Sequence, residues 1–124
     1  MFDADQENTA VDEGVWKEFR GSEFLIAHIS SIPFQRALAR HQQPHLKKLA
    51  EGKLDPDVNR RLVAKAMSEA LLLDWRKTKN NTPYTKEAGY KALMSQIDFR
   101  DFVSSVAQDL SNYIKEEDEE TGEA

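Results

Sequence analysis

The sequence predicts a mainly α fold: a compact bundle of about four helices preceded by an N-terminal β-hairpin. Three observations carry that expectation. Apolar residues from Phe34 onward recur at helical spacing, and the recurrence is punctuated by helix-start signals at Ser31, Asp55, Thr85 and Asp98. Upstream of them, "VWKEF" and "EFLIAHI" are aromatic and β-branched and flank Arg20-Gly21-Ser22. The chain has 124 residues, 40% hydrophobic and 31% charged, enough for one core beneath a charged surface.

In order, residues 1–13 are acidic, lack hydrophobic periodicity and are expected to be disordered. The hairpin is expected at about residues 15–29, with a three-residue loop at Arg20-Gly21-Ser22. Two strands alone are barely stable in water, so the hairpin must pack on helices or pair with another chain. Ser31 caps and Pro33 opens the first helix. Its stripe of Phe34, Leu38, His41, His45 and Leu49 faces inward, with Arg36, Arg40, Gln43 and Lys47 on another stripe. Pro44 removes a backbone donor, so the helix kinks or restarts there. Asp55-Pro56 opens a second helix expected to reach about Trp75, which would place Asp74 in its buried stripe between Val63 and Met67. Thr85 caps a third, with Tyr90, Leu93, Met94 and Ile97 on one side. Asp98 is expected to cap a fourth, with Asp101 as its capping-box partner. The stripe of that helix is Phe99, Phe102, Val103, Val106, Leu110, Tyr113 and Ile114. Residues 14–115 are thus expected to form a single helical domain, and 116–124 a disordered acidic tail.

The net charge of −5 is unevenly spread: residues 1–14 carry −5, residues 15–97 carry +7 and residues 98–124 carry −7. Such a basic body favours charged partners, and the acidic tail is a candidate screen for it. There is no cysteine, hence no disulfide or thiolate chemistry. The N-terminus lacks the basic start and apolar run of a signal peptide, no apolar run approaches a membrane span, and a cytosolic location is expected.

Enzymatic chemistry finds no support. Asp74 in an apolar setting could serve as a general acid or base, but no second acid, histidine or nucleophile completes a site locally. The favoured reading is a structural joint that ties down "RKTKNNTPY". His41 and His45 have metal-ligand spacing, yet Pro44 interrupts the helix and no acid lies closer than Glu51, so no metal is expected. His28 stands alone on a strand. No cofactor loop is present among the five glycines. Arg36, Arg40 and Lys47 form a basic stripe that could meet nucleic acid, but no aromatics interleave with it; a solvated face is favoured.

The segments "EGVWKEFRGSEFLIAHIS", "IPFQRALAR", "LLLDW", "PYTKEAGYKALM" and "DFRDFVSSVAQDLSNY", in this order and spacing, resemble the tail assembly chaperones of long, non-contractile-tailed bacteriophages. The likeness spans roughly residues 13–114; the loop "RKTKNN" is more basic than its counterpart in that family. The resemblance implies a non-enzymatic protein of the host cytoplasm, absent from the mature virion. It would bind the tape-measure protein and help recruit tail-tube subunits. The residues expected to meet such a partner are Phe99, Phe102, Val106 and Tyr113, with Trp16 and Trp75 as aromatic anchors; for each, core burial is the competing reading. Self-association through the hairpin edge would give a homo-oligomer. The alternative function is a small nucleic-acid-binding regulator using Arg36, Arg40 and Lys47.

Overall fold

A two-residue turn sets the first register. In the computed structural model, which describes residues 1–114, β1 (Val15–Phe19) and β2 (Ser22–Ile26) pair antiparallel from Val15↔Ile26 to Phe19↔Ser22. Ser22 belongs to the ladder, so the loop is Arg20-Gly21, shorter than expected. Both residues have positive φ, 53° and 82°, as the tight hairpin turns matched to strand twist require. Gly21 adopts this without cost; Arg20 does so with its guanidinium paired to Asp98 and lying 4.9 Å from the centre of the Phe19 ring.

The mainly α expectation is overturned by a third strand. β3 (Leu72–Arg76) adds to the free side of β2, so the fold is a mixed one: a three-stranded antiparallel sheet of order β1-β2-β3 packed against helices. Taken locally, "LLLDW" suits helical spacing and leucine favours helices, which is why the sequence predicts a helix end here. Two facts outweigh that local preference. A two-stranded hairpin needs a further partner, and a helix carried this far would bury Asp74. In the strand, Leu72 is fully buried, Trp75 lies opposite Phe24 on the inner face, and Asp74 lies opposite Leu25 on the outer face, exposed. A bulge between Leu25 and Ile26 shifts the register so that Leu72 meets Ile26.

The helices begin largely where short polar residues can hold their first amides. A short α1 (Ala10–Glu13) lies within the stretch expected to be disordered; the Val11 carbonyl accepts the His28 amide, and an Asp12 carboxylate oxygen accepts the Ile32 amide. Ser31 caps α2 (Ile32–Gln42), and Asp55 caps α4 (Pro56–Ala70), each with proline in the first turn. At Pro44 the chain passes through a 3₁₀ turn, Gln43–His45, before restarting as α3 (Leu46–Ala50). Thr85 caps α5 (Lys86–Ser95). The last helix, α6 (Ile97–Gln108), starts a residue before Asp98, whose carboxylate instead accepts the Phe99 amide and pairs with Arg20. It also stops before Leu110, which sits in a 3₁₀ turn.

The core lies between the inner face of the sheet and the helices, with α2 and α5 flanking α4. Phe24, Ile26, Phe34, Met67, Leu71, Leu72, Leu93, Phe99 and Val103 fill it. Tyr84, in the loop before α5, connects the layers. Its hydroxyl sits between the carbonyl oxygens of Ser68 and Leu72 and donates to them. Burial, with the nearby Asp74 charge adding, pushes this phenol above its ordinary pKa, so it remains a donor. Gly89 makes room for that ring: a Cβ there would lie 2.5 Å from the Tyr84 hydroxyl oxygen.

This contact predicts a sign reversal. Gly89→Ala should destabilise the wild type by about 1–3 kcal/mol through overpacking. In a Tyr84→Ala background the same change should stabilise by about 0.5–1 kcal/mol, the helix preference of alanine over glycine. A double-mutant cycle read by urea denaturation measures both.

Candidate partner-binding surface

The alternation of "SEFLI" divides the sheet into two unlike faces. Phe24 and Ile26 point inward and are buried, whereas Glu23 and Leu25 point outward and are half-buried. Cross-strand neighbours share a face, so the outer face carries Trp16, Leu25 and Asp74 in one row and Glu18, Glu23 and Arg76 in the next. Helices α4 and α6 contact the sheet through its inner side. Trp16 is only partly buried, and the Arg76 guanidinium lies 3.8 Å from the centre of its ring. Arg76 Nε donates to a Glu23 carboxylate oxygen at 2.6 Å, and Lys77 Nζ donates to the other at 3.3 Å. These cations hold the Glu23 carboxyl below its ordinary pKa, Arg76 contributing most. The result is an indole with a guanidinium, itself tied to Glu23, over its ring and with Leu25 as its cross-strand neighbour.

The inner face carries a continuous aromatic chain. The Phe19 and Phe102 rings stack at 4.7 Å, Phe24 and Phe99 lie 4.9 Å apart, and Phe24 meets Trp75 edge-on at 6.2 Å. Trp75 then meets Tyr84 edge-on at 4.9 Å. Phe19, Phe102, Val106, Trp75 and Tyr84 are only partly buried, so both ends of the chain reach the surface.

The sequence-derived residues therefore separate. Trp16 stands on the outer sheet face. Phe102 and Val106 are half-buried on α6, whereas Phe99 and Tyr113 retain only 3% and 2% exposure and line the core. Tyr113 donates to the Ile26 and Ala27 carbonyls at 3.0 Å, and burial raises its pKa. Trp75 donates through its indole N–H to the Thr82 carbonyl at 2.9 Å. The tie to "RKTKNNTPY" expected of Asp74 is thus made by Trp75 and Tyr84, while among the described residues Asp74 accepts the neighbouring Trp75 amide alone. Arg36 and Lys47 are exposed on α2 and α3; Arg40 is paired with Glu69 of α4, which also accepts from His41 at 2.8 Å. His28 lies two residues beyond β2 rather than on a strand, and is buried against Tyr113, its Nδ1 accepting the Ser30 amide at 3.1 Å. The tail at 116–124 lies outside the described residues.

Leu25, Glu23 and Arg76 belong to the surface but were missed from sequence. The alternation in "SEFLI" could have flagged the first two. Arg76 depends on a strand the sequence did not reveal.

Among the described residues, no group of three or more histidines and acids could hold a metal ion, and no helix is long and apolar enough to cross a membrane. The model of the YdaY prophage protein family matches residues 29–124, about three quarters of the chain. The chain belongs to the YdaY prophage protein family. It is therefore phage-derived. The YdaY match takes in every helix from α2 onward and β3, and begins just after the hairpin that contributes Trp16 and Leu25. No curated protein and no solved structure matches the chain.

The Glu23 cluster gives a pH-dependent expectation. Glu23→Gln should lower stability across neutral pH, because a carboxyl with a depressed folded pKa contributes fully only above its unfolded value, near 4.5. The gap between variant and wild type should close as pH falls through the lower, folded value. Thermal melts from pH 7 to pH 2 would show this closure.

Proposed function

We propose that this prophage protein is a non-catalytic tail assembly chaperone that binds the tape-measure protein in the host cytoplasm, helps recruit tail-tube subunits and leaves before the virion is complete. The observation that carries this reading is the outer sheet face, where Trp16 is held beneath Arg76 beside Leu25. Tryptophan and arginine are the side chains most enriched where binding energy concentrates, and an ordered pair loses little freedom on docking. Support also comes from the prophage family and from the ordered segments that resemble tail assembly chaperones.

A tape-measure protein presents repeated amphipathic helices. A domain offering Trp16, Leu25, and the half-buried Phe102 and Val106 rim can shelter such segments by burying their apolar stripes. Many copies along one long polymer gain from avidity, so each contact can be weak and released later without chemistry. The basic character of residues 15–97 adds long-range attraction for acidic client segments.

Co-expression with the tape-measure protein encoded in the same prophage should raise its soluble fraction several-fold. Trp16→Ala should abolish most of that gain while leaving the chaperone's own melt nearly unchanged. A tape-measure protein equally insoluble with and without the chaperone would reject the proposal. So would salt-sensitive retention on DNA that is lost in an Arg36→Glu, Arg40→Glu variant, which would point to nucleic acid instead.

A further inference from the structure

The two edges of the sheet are treated differently. On β3, the Leu72 carbonyl accepts the Tyr84 hydroxyl. On β1, the Phe19↔Ser22 pair closes a two-residue turn, so its amides and carbonyls face β2. Strict alternation then turns the backbone groups of Trp16 and Glu18 outward. No backbone or side-chain hydrogen bond reaches those outward groups among the described residues.

We infer that β1 is the seat of a symmetric antiparallel pairing with a second copy of this chain, joining two three-stranded sheets into one. The register follows by elimination. A two-fold axis normal to the sheet requires some β1 residue to face itself across the interface. Centring on Glu18 sets Trp16 opposite Arg20, which is committed to the turn with φ 53°. Centring on Trp16 needs Gly14 as partner to Glu18, yet the Gly14 amide is already given to the Ala10 carbonyl and its φ is 87°. Centring on Lys17 brings Trp16 opposite Glu18 twice, and every outward group of these residues is used in about four inter-chain hydrogen bonds.

The side chains fit this register. Glu18 is exposed and makes no ion pair among the described residues. Across the interface it would meet the Trp16 ring that bears the Arg76 guanidinium, whose Nε is taken by Glu23 while its other nitrogens remain over the indole. The two central lysines then face one another on the inner face, the one like-charge contact of this register, set against two Glu18–Arg76 approaches on the outer face. Charge complementarity thus selects a second copy as the occupant.

The full chain should show a concentration-dependent monomer–dimer equilibrium in sedimentation velocity. Glu18→Lys places a cation against Arg76, and Glu18→Pro removes an outward amide without touching the hairpin ladder. Each should weaken dimerisation by about tenfold or more, with circular dichroism confirming a folded monomer. In wild type, the Trp16 and Glu18 amides should exchange slowly when concentrated and quickly on dilution. A chain that stays monomeric at high concentration overturns the inference, as does a dimer indifferent to both variants. Protection of these amides only on addition of tape-measure protein also overturns it, and assigns the edge to the client.

Discussion

The pairing of Leu72–Arg76 with β2 is the constraint on which the other features depend. It gives the central strand a neighbour on both sides, where a lone hairpin would be marginal. It also ends α4 at Ala70, because the chain must turn at once to enter the sheet. By alternation it sorts the segment: Leu72 and Trp75 go to the core, and Asp74 and Arg76 to the opposite face. The core and the surface patch are two results of one register.

The same pairing explains what was legible in the sequence and what was not. Caps are local, and Ser31, Asp55 and Thr85 begin helices because their side chains meet amides two or three residues on. The break at Pro44 is likewise local. The inward stripe of α2 follows from spacing alone: Phe34 is buried and Leu38, His41, His45 and Leu49 are half-buried. β3 is different. Its residues are good helix formers at helical spacing, and only a contact with a strand far away in the chain makes them extended. Asp74 held the clue, since a helix that long would have buried it without a partner. The start of α6 lies two residues before the expected one, with Gln96 at the cap position, because Asp98 is a good cap by type but lies inside the first turn.

Legibility of the surface follows the same division. Trp16 was singled out as an aromatic anchor by composition, yet its neighbours Leu25 and Arg76 come together only through two strand pairings. Phe99 and Tyr113 shared an amphipathic stripe with Phe102 and Val106, and spacing could not separate core from rim. The separation arises because Phe102 sits at the margin of the sheet, stacked on Phe19, whereas Phe99 sits over Phe24 of the central strand.

Each tryptophan belongs to a different side of the same three strands. Trp75 is locked edge-on to Tyr84 and Phe24, and Trp16 rests in partial contact with water under a guanidinium. The molecule therefore carries two built-in optical probes with separate duties. Emission from Trp75 follows whether the interior is assembled, whereas quenching or blue-shift at Trp16 follows whether something has settled on the outside. Selective excitation after replacing either indole would let folding and docking be watched independently in one small protein.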